Sequence, residues 1–311
     1  MVIIFKLRSV AILFLTIVLF SFPSIALSIS SFQIFQLPSN VTGAEAFAFN
    51  TSNGDFYKGV FDGRILKYQE STNSFTDFAF TSPNRTKELC DGTTNPELGP
   101  ICGRPLGLGF DRETGDMYIA DAYIGLTIVG PQGGLATQLV NSAYGVPFQF
   151  LDSFDIDPIT GVIYMTDYSS VYQLRYLYNP FHFHLAQINS EENGCQLFAL
   201  SFFLSSFLMF RMIEQAIATR DATGRLLKYD PKTKEITVLL NCLSGAAGNA
   251  VSEDGSFVLV SENISGNVLK YWLKGSKANT TETFISYQGQ PDNIKRTSNG
   301  EFWIAVNIQE D

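Results

Sequence analysis

The chain has 311 residues, 45% hydrophobic and 14% aromatic, and only 16% of them carry charge. That is enough apolar material for a large core, and abundant Phe and Tyr without long charge-paired stretches favour sheet over helix. The net charge of −9 excludes a general nucleic-acid binder, since neutralising phosphates takes a basic surface.

The first residues read as an address. Lys6 and Arg8 precede an apolar run from Val10 to Phe22, and Ser24-Ile25-Ala26 supplies the small residues a signal peptidase accepts. Residues 1–26 are therefore expected to be a secretory signal peptide and 27–311 a single mature domain, with no stable membrane insertion after cleavage. In that compartment the sequons at Asn40, Asn50, Asn84, Asn263 and Asn279 become candidate N-glycosylation sites on the surface. Cys90 and Cys102 flank a Gly/Pro-rich stretch with no strand pattern. An oxidising lumen favours their pairing, and closing so short a loop stabilises the fold by about 3 kcal/mol. Cys242 reads as a buried strand-end residue.

A phrase then repeats. Asp111-Arg-Glu-Thr-Gly115-Asp-Met-Tyr118-Ile-Ala-Asp121 is echoed by Asp157-Pro-Ile-Thr-Gly161-Val-Ile-Tyr164-Met-Thr-Asp167, in the same register throughout. Looser copies lie at Asn50-Thr-Ser-Asn-Gly54-Asp-Phe-Tyr57, at Thr223-Gly-Arg-Leu-Leu-Lys-Tyr229 and at Ser252-Glu-Asp-Gly255. Each unit is strand, Asp/Gly turn, strand, turn, and repeats of about 40–50 residues built this way are propeller blades. One blade cannot bury both faces of its sheet alone, so several must pack around an axis. Copies begin near Glu45, Arg104, Asp152, Ala247 and Asp292, the last cut short. The expectation is an all-β, six-bladed propeller whose last blade is missing.

One stretch, 176–211, breaks the repeat. It is rich in Phe, Leu and Ser, and it holds Cys195 and both histidines, His182 and His184. Joining Gln173-Leu-Arg175 to about Ile213 restores a compact blade, so the segment reads as an anomalous insert of the kind a translated intron leaves. A lid between strands and a transmembrane helix are the alternatives.

Outside that insert the chain, from Gly43 onward, resembles the strictosidine synthase-like proteins. The resemblance rests on Cys102-Gly-Arg-Pro-Leu-Gly-Leu-Gly-Phe-Asp111, Tyr144-Gly-Val-Pro-Phe148, Asp155-Ile-Asp157 with Tyr164-Met-Thr-Asp167, Thr223 to Pro231, Val268 to Gly275 and Asp292-Asn-Ile-Lys-Arg296. The family's conserved region would span about 145–235. Membership implies a six-bladed propeller, a secreted or vacuolar location, a small-molecule substrate, no cofactor, and a disulfide at the spacing of Cys90 and Cys102. Strictosidine synthase joins tryptamine to the aldehyde secologanin, and a carboxylate shuttles protons around the amine and its iminium in a pocket that sheds water. The family's catalytic Glu lies in a His-Phe-Glu phrase that does not occur in this sequence, and Glu301, Glu310 and Asp311 do not match its context. The synthase's indole-binding Trp and Tyr align here with Phe150 and Asp152, which are the pocket candidates. Asp152 could bind an amine but cannot stack on an indole.

A neighbouring branch, the Ca²⁺-dependent lactonases and esterases resembling paraoxonase, implies a second reading. There Glu, Asn and Asp from successive blades hold Ca²⁺ on the axis, and the ion polarises an ester or lactone carbonyl. By that resemblance Glu45, Asp152, Asp292 and Asn293 are the metal candidates. The fourth-blade Asn is replaced by Ala247, with Asn249 two positions along. Other schemes lack their parts: the body of the chain has no Ser-His-Asp arrangement, no phosphate loop and no zinc spacing. Three functions stay open: a strictosidine synthase-like enzyme of alkaloid-type metabolism, a Ca²⁺-dependent hydrolase, and a non-catalytic propeller.

Overall fold

The structure, a computed structural model, describes residues 37–43, 45–50, 53–177 and 220–308. The leader 1–26 lies outside the described residues, as does the insert 176–211 apart from its first two positions. The fold is of the propeller type, a series of antiparallel meanders. The first sheet runs β1 (Phe47–Phe49), β2 (Phe56–Gly59), β3 (Arg64–Gln69), β4 (Ser74–Phe80). The second runs β5 (Pro105–Phe110), β6 (Met117–Asp121), β7 (Gly125–Val129) and then β9 (Thr137–Val140), while the intervening β8 (Gly134–Leu135) pairs parallel with β4. A short hairpin, β10 (Ser142–Ala143) with β11 (Val146–Pro147), leads to the third sheet. That sheet is β12 (Leu151–Ile156), β13 (Ile163–Asp167), β14 (Gly224–Asp230) and β15 (Glu235–Leu243). The fourth is β16 (Ala246–Val251), β17 (Phe257–Glu262), β18 (Asn267–Trp272) and β19 (Thr281–Ser286), and β20 (Gln290–Arg296) pairs with β21 (Phe302–Asn307). The first strands β1, β5, β12, β16 and β20 pack against one another in that order.

Middle strands are buried on both faces, which is why Met117 to Asp121 and Ile163 to Asp167 read as near-continuous apolar runs. Side chains alternate across a strand, so neighbours serve different cores. Ile119 packs with Tyr57, Ile65 and Leu108, between the first and second sheets. Its neighbour Tyr118 packs with Phe154, Met165 and Leu227, between the second and third. Tyr164 and Leu226 turn instead to Val251, Val258 and Val260 of the fourth sheet. Leu259 and Val268 meet Ile294 of β20. Fully burying each such side chain contributes about 1.5–3 kcal/mol.

The repeated phrase has a physical cause at both ends. At its start, Asp111 accepts the Glu113 amide at 2.8 Å and Asp157 accepts the Ile159 amide at 2.8 Å. Gly115 and Gly161 then take left-handed φ values of 76° and 75° to close the turn, where a Cβ would be strained. At its end, a carboxylate clasps the first strand of its own blade. Asp121 accepts the Arg104 amide at 2.7 Å, Asp167 the Phe150 amide at 3.1 Å, and Glu262 the Ser244 amide at 2.9 Å. All three acids are buried, and each satisfies a donor that the sheet ladder leaves over.

Cys90 and Cys102 form a disulfide, both residues buried, between two single-turn helices, Lys87–Cys90 and Gly99–Cys102. Cys242 corrects its expectation: it lies within β15, exposed, with φ 58°, and is not a free thiol. Among the described residues no helix is long and apolar enough to cross a membrane.

Candidate functional site

Four of the five first strands break register near their beginning. The break falls between Pro105 and Gly107, between Leu151 and Ser153, between Ala246 and Asn249, and between Pro291 and Ile294. A bulge leaves its extra residue unpaired and re-aims the side chain. The residues so released are Leu106, Asp152, Ala247 with Gly248, and Asp292 with Asn293, while Glu45 stands just before β1. Gly248 is required here, because a Cβ would lie 2.5 Å from the Asp292 carbonyl and 2.6 Å from Asn293 Cα. Ser261 Oγ ties the two bulges, at 3.1 Å from the Gly248 carbonyl and 2.7 Å from that of Asp292.

Three acids are thereby brought within electrostatic range. Burial first, then the charges of Asp292 and Glu45, hold the Asp152 carboxyl well above the usual carboxylate range. Burial and Glu45 push Asp292 up to about 6. Glu45 itself is paired with Arg104, whose Nη2 is 3.3 Å from Oε2. Asn293 and Glu45 line one cavity of about 490 Å³ together with Phe47, Leu108, Ser153 and Trp303.

Against these acids lies an aromatic shelf. Phe150 and Tyr168 stack with ring centroids 4.9 Å apart and planes inclined by 29°. Leu106, Ala122, Leu174 and Ala247 complete a buried cluster, and Tyr123 packs against it. The Tyr168 hydroxyl donates to Asn263 Oδ1 at 3.2 Å. Burial, with Asp152 adding to it, raises the Tyr168 pKa and keeps the phenol neutral. The sequence pointed to Phe150 and Asp152 but not to Tyr168, although Tyr168 directly follows the repeated Asp167 where the preceding copy has Ala122.

The metal candidates are only partly gathered. Among the described residues no group of three Asp, Glu, His or Cys side chains is close enough to hold a metal ion. Glu45 is engaged by a guanidinium, and Asn249 is held between blades by its Nδ2, which donates to the Tyr164 carbonyl at 2.8 Å. The donor set as it stands does not fit directly coordinated Ca²⁺, which needs six to eight oxygens at 2.3–2.6 Å. The sequon at Asn263 departs from the expected surface position: Asn263 is buried, with Oδ1 taken by Tyr168 and Nδ2 donated to the Pro291 carbonyl at 3.2 Å. Asn40, Asn84 and Asn279 are exposed and Asn50 is half-buried.

Comparison with known proteins agrees with this architecture. A family model described as strictosidine synthase matches residues 200–276. Protein STRICTOSIDINE SYNTHASE-LIKE 11 of Arabidopsis thaliana is 43% identical over 96% of this chain and 80% of its own length. STRICTOSIDINE SYNTHASE-LIKE 12 of the same plant is 43% identical over 89% of this chain and 72% of its own. The strictosidine synthase of Catharanthus roseus is 38% identical, over 86% of this chain and 66% of its own. Among solved structures, a gluconolactonase from Xanthomonas campestris superposes with TM-score 0.54 at 14% identity, covering 85% of this chain and 69% of that one. A calcium-binding regucalcin from Agrobacterium tumefaciens does so with TM-score 0.52 at 12% identity, over 85% and 67%. These last two likenesses concern the fold alone.

Proposed function

The chain belongs to the strictosidine synthase-like family, and on that premise we propose that its bulge-lined site binds a small organic amine for an amine–carbonyl condensation of secondary metabolism. The observation that carries this reading is Asp152, released by its bulge beside the Phe150–Tyr168 stack. A carboxylate next to a flat apolar wall suits an ammonium or iminium attached to a compact hydrocarbon. Asp292 strengthens the preference, because two mutually repelling acids are relieved by a bound cation. Asp152 would hold the amine and take up the proton released as nitrogen attacks the carbonyl, and the apolar shelf would keep water from the iminium. Strictosidine is not the product expected, because Asp152 stands where the synthase offers an aromatic ring to the indole.

Calorimetric titration with a panel of aliphatic and aryl amines tests the binding step. Asp152→Asn should lose amine affinity by about tenfold or more, the range of a charge-assisted hydrogen bond. Unchanged affinity, or strictosidine formed from tryptamine and secologanin, would sink this reading. Ca²⁺-dependent ester or lactone hydrolysis is the competing function. It is supported by the nearness of Glu45, Asp152 and Asp292, and EDTA-sensitive turnover of a lactone would establish it. Neither turnover would leave a non-catalytic propeller. We read the propeller as six-bladed, the described residues supplying sheets for five blades beside the short β10–β11 hairpin. The protein is taken to enter the secretory pathway, for the vacuole or the cell exterior, on the strength of its leader and its disulfide.

A further inference from the structure

We propose that Arg104 is the resident cation of this ring of acids, and that its guanidinium fills the place at Glu45 that a divalent metal would take. Among the described residues its link to Glu45 is the one ion pair that Glu45, Asp152 or Asp292 makes. The side chain is built in from several sides and is only 6% exposed. Its backbone amide is held by Asp121 at 2.7 Å, Nη1 donates to the Gly43 carbonyl at 3.2 Å, and the guanidinium lies 4.3 Å from the centre of the Phe61 ring. Gly43 is cut to fit it: at φ 60° a Cβ there would come within 3.1 Å of Nη1 and 3.0 Å of Phe61 Cβ. The sequence thus keeps a glycine where any side chain would press on the cation.

The chemistry separates the two occupants. Ca²⁺ must collect six to eight oxygens, water among them, and with Glu45 taken by Arg104 only Asp152 and Asp292 of the three acids are left to it. A guanidinium can be held by one carboxylate, one carbonyl and a ring face, the partners Arg104 has here, while its Nε is buried without a hydrogen-bond partner. To enter, a metal would have to strip Glu45 from Arg104 and leave a buried guanidinium without its counter-charge. Arg104 also joins two blades, since Glu45 precedes β1 and Arg104 precedes β5. The inference does not rest on the amine-condensation reading, and it tells against the Ca²⁺-dependent one.

The test uses the mature chain, with Ca²⁺-dependent melting and Tb³⁺ luminescence as readouts. Wild type should show no shift in Tm and no sensitised emission up to about 10 mM Ca²⁺, beyond the weakest biological Ca²⁺ sites. Arg104→Met frees Glu45 and should gain Tb³⁺ emission and a Ca²⁺-dependent rise in Tm of several degrees. Arg104→Lys retains a cation and should stay silent, as should the double variant Arg104→Met/Glu45→Gln. A folded Arg104→Met that gains nothing overturns the proposal. Should that variant fail to fold, the wild-type titration decides: Ca²⁺ stabilisation abolished by Glu45→Gln overturns it, and silence supports it.

Discussion

Asp152 and Asp292 are released by equivalent bulges on β12 and β20, two strands that have β16 between them, and after burial the charge of Asp292 helps hold the Asp152 carboxyl above the usual carboxylate range. Ala247, on the bulge of the intervening strand, packs in the aromatic cluster with Phe150 and Tyr168.

This pairing makes stability depend on pH in a defined direction. Folded Asp292 titrates at about 6, whereas an unfolded Asp titrates near 4. Between those values the folded chain keeps a proton that the unfolded chain has lost, so stability falls as pH rises through the window. Asp292→Asn removes the charge. Its Tm should match wild type near pH 4 and move progressively above it by pH 7. A gap that stays constant from pH 4 to pH 7 would refute the assignment.

Removing an acid clasp should be far more damaging than removing a turn acid. Asp121 is fully buried and accepts from Thr81 Oγ1 at 2.5 Å and from the amides of Arg104, Tyr123 and Ile124 at 2.7, 2.9 and 3.1 Å. Asp121→Ala strands these donors and should cost about 3–5 kcal/mol in urea unfolding. Asp111→Ala, on an exposed turn of the same phrase, should cost about 1 kcal/mol. Equal losses for the two variants would show that the clasp is not what closes the blade.

The Cys90–Cys102 bond closes a loop of sequence separation 12. Replacing both residues by Ser should lower unfolding free energy by about 3 kcal/mol, chiefly through a less restricted unfolded chain. Non-reducing peptide mapping checks the pairing itself. Iodoacetamide labelling of both thiols before reduction would disprove it.

Glycan occupancy should follow burial. In protein from a plant host, glycopeptide mass spectrometry should find Asn263 unmodified, because both ends of its amide are spent inside the fold. Asn40, Asn84 and Asn279 are exposed and accessible to the transferase. A glycan on Asn263 would mean that the Tyr168 hydroxyl has a different partner.

Much of the architecture was legible because blades repeat. The copies located at Glu45, Arg104, Asp152, Ala247 and Asp292 coincide with the first strands of the five sheets. Asp111, Gly115, Asp157 and Gly161 announced their turns, since only certain residues tolerate that geometry. The site was harder to read. A bulge shifts which residue faces which side without changing the alternating pattern, so Leu106 gave no sign that it shares a ring with Asp152, and Ala247 was placed there only through the resemblance. Asn249, two positions beyond Ala247, looked close enough to substitute, and the same bulge turns it toward Tyr164 instead. Arg104 was visible only as the beginning of a repeat, because an ion pair between residues 59 positions apart leaves no local trace. Cys242 and Asn263 misled for a related reason: local sequence does not reveal burial at the end of a strand.

The clasps bear on how such a chain assembles. Each joins residues only 17 or 18 apart, so a blade can latch its first two strands before any distant contact is made. Folding can then begin at several places along the chain and spread between neighbours, with little entropy lost in closing each loop. In the third blade, Asp167 and Arg225 face each other in register and are also ion-paired at 2.5 Å. The stretch between them therefore leaves and rejoins the sheet at one point, after the latch is complete. A change of length there would leave the closure of that blade untouched, provided that Tyr168 and Leu174 at its beginning keep their places in the aromatic cluster.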